Sequence, residues 1–182
     1  MTGQAAQLHA TADGQVAELI GLISAWDEAA LRRACAGREK LGDGTVGAFV
    51  RHTADNYARI AGFVQTSDRM SAAHTSTQHA SHRIPRFQRA FGHGPADHVP
   101  GVGQHDDPYT ATGINLDAVV AQLATARSAL GRIAELTDSQ LEAIPPQDSF
   151  RFCDGQRTLE QVLAGLLKHQ RHQLDALTAT TR

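Results

Sequence analysis

Four stretches of this chain repeat their apolar residues every three or four positions, the period of an α-helix. In the first, Val16, Leu19, Ile20, Ile23 and Trp26 follow that spacing. They predict a helix over about 12–33, opened near Asp13 and stopped by Gly37. The second begins at Thr45, a residue type whose hydroxyl caps helices well, and runs to about Thr66. Its core stripe is Val46, Phe49, Val50, Thr53, Tyr57, Ile60, Ala61 and Val64. The third carries Leu116, Val119, Val120, Leu123, Leu130 and Ile133 behind Asn115 as cap. Thr137–Leu141 resembles a short helical turn closed by Pro145 and Pro146. The fourth opens with a capping box, Thr158 at the cap and Gln161 three residues on. Its stripe is Leu159, Val162, Leu163, Leu166, Gln170, Gln173 and Leu177.

From about 67 to 113 the periodicity fails, and Gly92, Gly94, Pro95, Pro100, Gly101, Gly103 and Pro108 punctuate the stretch. A connection this long inside one domain is often a lid or a binding loop. Within it, Ile84–Phe91 is a candidate short element that docks two Phe side chains. The halves on either side follow one plan. Each has a long helix, a tail (Leu31-Arg32-Arg33; Leu141-Glu142-Ala143), a turn with glycine, a Thr cap and a histidine-bearing helix. The pattern predicts an all-α fold, a single domain over 1–182, built as a four-helix bundle from two similar helical pairs.

Composition narrows the function classes. The chain has 182 residues, 41% of them apolar, with one Trp and two Tyr. A core of Leu, Ile, Val and Ala suits packed helices. The formal net charge is −2 with no block of one sign, which argues against a nucleic-acid surface or a polybasic membrane patch. No apolar run approaches the roughly 20 residues of a membrane span. Met1–Gln7 has neither the basic nor the apolar region of a leader. Two cysteines, Cys35 and Cys153, fit a reducing compartment better than a disulfide scaffold. A soluble, cytoplasmic protein is expected.

Ten histidines are many for this length. Most lie in the irregular stretch, where solvated side chains explain them. His52 and His169 differ, because each follows a Thr cap on a helix flank beside the core stripe. Asn56 and Phe63 share the flank of His52, and Asp55 points away. His169, Gln173 and His172 stand progressively differently on the last helix: His169 at the stripe's edge, Gln173 inside it, His172 further out. Imidazoles from two helices can hold a divalent metal, and one helix supplies two donors most easily at i,i+3 or i,i+4. A solvated or hydrogen-bonded histidine explains each position as well. Gln170 and Gln173 are harder to dismiss, since buried amides need partners. They imply a polar cavity, with or without metal. Cys35 and Cys153 read as small buried residues.

Three segments are similar to the DinB-like superfamily: Leu31-Arg32-Arg33-Ala34-Cys35, Gly44–His52 and Arg157–Leu174. This superfamily includes metal-dependent thiol S-transferases using bacillithiol or mycothiol, and the N-terminal domain of mycothiol-dependent maleylpyruvate isomerase. The resemblance covers about Val16 to Leu177. It implies a four-helix bundle with a nickel- or zinc-type site at one end. The family's ligands fall on His52 and His169, and its third on Gln173. His172 falls where the family often has a non-ligating histidine. An amide oxygen is a poorer ligand than imidazole for such an ion. Three outcomes follow: Gln173 or His172 serves as a weak third ligand, a loop histidine substitutes, or the metal is lost.

The leading expectation is an enzyme acting on a small molecule in the bundle pocket. The metal would lower the pKa of a low-molecular-weight thiol and present it as nucleophile, in S-transfer or thiol-assisted isomerisation. Asn56 and Gln170 would orient or bind the substrate. The alternative is a metal-free, small-molecule-binding relative, possibly a homodimer. A plain helical interaction module is a third reading. Metal ligation requires the nitrogens of His52 and His169 to come within about 3 to 3.5 Å of each other, with a third donor aimed at the same point.

Overall fold

A computed structural model describes residues 3–77 and 114–180, with side chains described over 3–67 and 114–180. The described residues form helices and turns with no strand; their one β-type contact is an isolated antiparallel bridge between Ala34 and Thr45. In chain order the helices are α1 (Gly3–Ser24), α2 (Glu28–Leu31), α3 (Val46–Thr77), α4 (Leu116–Leu130), a 3₁₀ turn (Gly131–Glu135), α5 (Asp138–Glu142) and α6 (Leu159–Thr180). Ile84–Phe91 and the glycine- and proline-rich run lie outside the described residues.

The caps stand where the sequence puts them. Ala48 N donates to Thr45 Oγ1 at 3.2 Å, and Ala118 N to Asn115 Oδ1 at 3.1 Å. Thr158 and Gln161 exchange both capping-box bonds, at 3.2 and 3.3 Å. Thr137 and Gln140 form a second capping box ahead of α5.

Helix lengths depart from the periodicity. α1 begins at Gly3, not near Asp13, because its first turns carry the inward stripe on Ala5 and Ala12, which are fully buried but too small to show a strong apolar period. It ends at Ser24 instead of continuing to about residue 33. Asp27 breaks it by accepting from Ala30 N at 2.8 Å, capping a new short helix. α3 runs to Thr77, past the expected end near Thr66, so the irregular stretch is shorter than 67–113. Ser67–Thr77 contains neither Gly nor Pro, so nothing in the backbone stops the helix. Ile133 is buried, as its spacing requires, but on the tighter 3₁₀ turn rather than on α4.

α1 packs on α4 and α6, and α3 packs on the same two helices. All four share one core in which Leu19, Phe49, Tyr57, Leu123, Leu163 and Leu174 are fully buried. Every predicted stripe residue of α3 and α6 is buried. Deep in that core Gln15 of α1 ties both α3 and α6 to its own helix. It donates from Nε2 to the Leu167 carbonyl at 3.2 Å and accepts from the Tyr57 hydroxyl at 3.1 Å. Outside, Arg127–Asp13 joins α4 to α1, and Arg171–Glu18 joins α6 to α1. These pairs are half-exposed, so each contributes little.

No helix among the described residues is long and apolar enough to cross a membrane.

The Tyr57 hydroxyl makes a concrete test. Tyr57→Phe leaves the buried Gln15 oxygen without that donor and should cost about 1–2 kcal/mol. Urea unfolding should show a lower midpoint with an unchanged slope.

Candidate functional site

The site is assembled by two loops and the flanks of α3 and α6. The first loop, residues 34–45, is closed at its neck by Cys35 N to Gly44 O and Val46 N to Arg33 O, both 2.8 Å. Gly44 is required there. It has φ +71°, and a Cβ on it would stand 3.2 Å from the Glu39 Cα. The closed loop turns Gly37–Leu41 toward the flank of α3.

The second loop joins α5 to α6 and is fastened in the same way: Leu159 N donates to Ala143 O at 2.8 Å. Arg33 and Ala143 are the third residues of the two matching tails, and Val46 and Leu159 directly follow the two Thr caps. The sequence repeat is thus a repeat of local structure. Within this loop Asp148 N bonds Cys153 O at 3.0 Å, and Cys153 is buried as an anchor. Phe152 has φ +71°, a left-handed conformation that a bulky side chain rarely adopts. Its ring meets the His169 ring edge-on, with centroids 6.5 Å apart. Phe150 stacks on Phe63 of α3 at 4.8 Å. These two aromatic contacts pin the loop to both histidine-bearing helices and leave Arg151 between them.

A cleft of about 520 Å³ lies here, lined by His52, His169, Gln173, Phe49, Arg151 and the Gly37–Leu41 loop. Four side chains form a hydrogen-bonded row along it. Asn56 Nδ2 stands 3.0 Å from His52 Nε2 and 3.4 Å from Gln173 Oε1. Gln173 Nε2 stands 3.0 Å from His169 Nε2. Arg151 Nη1 approaches the same His169 Nε2 at 3.2 Å. A guanidinium can only donate, so His169 Nε2 must accept and its ring proton sits on Nδ1. Gln173 then donates from its amide nitrogen and accepts from Asn56. Asn56 spends its second N–H on His52 Nε2. One arginine therefore fixes the direction of every bond in the row.

Both imidazoles are neutral in this arrangement, and their surroundings keep them so. Burial pushes the His52 pKa below the ordinary histidine value. The charge of Arg59 pushes the same way, Asp55 opposes it, and Arg151 and Arg38 add to it. Burial also lowers the pKa of His169, joined by the charges of Arg151, His52, Arg38 and His172.

The structure thus brings together His52, Asn56, His169 and Gln173. It separates the other two candidates. Gln170 is fully buried in the core, donating to the Thr53 carbonyl at 3.2 Å, and does not line the cleft. A substrate in the cleft does not meet it. His172 is exposed on α6 and is not among the residues that line the cleft. Sequence reasoning missed Arg151 and Arg38. Both lie in aperiodic loops, where spacing carries no signal.

Among the described residues no group of three or more His, Cys, Asp or Glu side chains converges. The two imidazole nitrogens already accept N–H groups, and a permanent cation rests against one of them. In this arrangement a divalent ion at the imidazole nitrogens would meet the Arg151 charge and the donor faces of two amides.

Comparison of the chain with protein-family models, curated proteins and solved structures finds no match.

The histidines generate a pH test. Their folded-state pKa values lie below the unfolded value near 6.5, so the unfolded chain binds protons first. Stability should be full above that value and fall as pH drops through the folded pKa values. Urea midpoints between about pH 7.5 and about pH 5 should decline. The decline should flatten in the His52→Gln, His169→Gln double variant. The lowered carboxylates Asp13 and Glu18 act only in a more acidic window.

Proposed function

We propose that the chain is a DinB-like four-helix bundle whose cleft binds a small molecule without a metal ion. The observation that carries this reading is Arg151 against His169 Nε2. A metal held by that nitrogen would meet a guanidinium. The matched loop bonds of the two halves and the two Thr-capped, histidine-bearing helices support the DinB-like part. The volume of the cleft falls within the range of small-molecule sites. In this reading the row from His52 to His169 is a preset hydrogen-bonding edge. A ligand hydroxyl or amide exchanges with the Asn56 or Gln173 amide at little cost, since each bond lost is replaced.

The second reading is a metal-dependent thiol S-transferase or thiol-dependent isomerase, with zinc or nickel and a low-molecular-weight thiol. It is favoured by two imidazoles held neutral on one cleft, the protonation state that metal ligation needs. It requires Arg151 to swing away and the Gln173 amide to turn its oxygen inward.

Metal content separates the two. Untagged protein should carry less than about 0.1 equivalent of zinc or nickel, and neither ion should titrate one-to-one by calorimetry. Replacing the two obstructing groups, in Gln173→His with Arg151→Ala, should create a one-to-one zinc site that the parent lacks. Stoichiometric metal in the parent, lost in His52→Ala with the helical circular dichroism unchanged, would overturn the metal-free reading.

A further inference from the structure

The charges that rim the cleft are not explained by the hydrogen-bonded row. Arg38, Lys40 and Arg151 all line it, against a single acid, Glu39, in a chain whose net charge is −2. The Glu39 carboxylate is turned back onto its own loop, accepting from Gly37 N at 2.8 Å. Among the described residues, the ion pairs engage other arginines and leave Arg38 and Arg151 without a carboxylate.

Both guanidiniums lie over aromatic rings. Arg38 lies over the Phe49 ring at 4.7 Å, and Arg151 over the Phe152 ring at 5.1 Å. An aromatic face beside a guanidinium restrains it without using its N–H groups, and beyond Arg38 Nη1 at the Gly37 carbonyl and Arg151 Nη1 at His169 the rest remain to grip an oxyanion. The local backbone supports the same placement. Arg38 follows Gly37 at φ +74°, and Arg151 precedes Phe152 at φ +71°. The strained Phe152 is the costlier of the two, and strain of this kind persists only where surrounding structure enforces it. The His52 and His169 rings both respond to Arg38 and Arg151, so the positive potential of the two arginines reaches both rings.

We propose that the cleft holds a small organic molecule by an oxyanion group, a carboxylate or a phosphate, gripped between Arg38 of the α2–α3 loop and Arg151 of the α5–α6 loop. Lys40 adds charge at the rim, and the His52-to-His169 row meets the ligand's other polar atoms. The proposal rests on the small-molecule reading above and names its ligand class. In the bound state Arg151 divides its N–H groups between the oxyanion and His169.

The test titrates the full-length chain, at low ionic strength, with three probes: inorganic phosphate, succinate and the uncharged isostere succinamide. Calorimetry gives affinity, and imidazole NMR shifts of His52 and His169 report the location. Phosphate or succinate should bind at one site and move both histidine signals, and the tighter of the two identifies the oxyanion. Arg38→Gln and Arg151→Gln should each weaken that binding about 10-fold or more, since each removes a charge-assisted bond. Lys40→Gln should weaken it less. Melting temperatures confirm that the variants are folded. Absence of binding by both anions overturns the proposal, as does affinity unchanged from the parent in the two arginine variants. Succinamide binding as tightly as succinate overturns the oxyanion class while leaving a small-molecule cleft. Loss of that broader reading would instead show as a neutral fragment library that moves neither histidine signal.

Discussion

A buried amide without a partner costs about 1–3 kcal/mol, and α6 carries two of them on its inward stripe. That constraint orders the rest of the molecule. Gln170 donates to the Thr53 carbonyl of α3, while its own side-chain oxygen is buried without a partner among the described residues. Gln173 is taken up between His169 on its own helix and Asn56 on α3. From the other side Gln15 of α1 reaches the Leu167 carbonyl and the Tyr57 hydroxyl. Rotating α6 by one residue, about 100°, would break its bonds to Thr53, Asn56 and Gln15 at once. Apolar burial brings the helices together, but it tolerates slippage. The amides set the register.

The same register makes the cleft. With Gln173 turned in, His169 one turn earlier falls at the edge of the core, opposite the flank of α3 that bears His52. Partial burial then keeps both rings neutral, because a charged imidazole there loses solvation and meets the charges of Arg151 and Arg38. Neutral rings can accept hydrogen bonds, and Arg151 decides that they do. Core packing, proton placement and the chemistry of the cleft are therefore linked through one helix face.

The two loops complete the arrangement by a shared device. Each follows a short capped helix, is closed by a backbone bond of 2.8 Å to the first residue of the next long helix, and contributes an arginine. The aromatic partners differ in origin. Phe49 belongs to the core stripe of α3, whereas Phe152 is supplied by the loop itself. The halves thus repeat in backbone plan and in charge, while the side chains supporting the charge have diverged.

Much of this was legible in the sequence. The Thr45 and Thr158 caps and the stripes of α3 and α6 follow from local periodicity, the placing of Asn56 beside His52 from the same helical wheel, the pairing of His52 with His169 from the matching halves, and the place of Gln173 beside them from the DinB-like resemblance. Periodicity reads which residues share a helix face. It weakens where the inward residues are small, as at Ala5 and Ala12, and where a helix continues without an apolar repeat, as beyond Ser67. It could not separate Gln170 from Gln173, both on one stripe, because only the neighbouring helix determines which of them meets the core and which the cleft. Nor could it place Arg38 and Arg151. Their positions depend on loop closure, on aromatic rings far away in sequence, and on backbone angles that no residue spacing encodes. The sequence by itself determined the helices and the polar residues they must satisfy. The tertiary structure alone decided that two loop arginines meet those residues, because that meeting is made by long-range contacts that have no periodic trace.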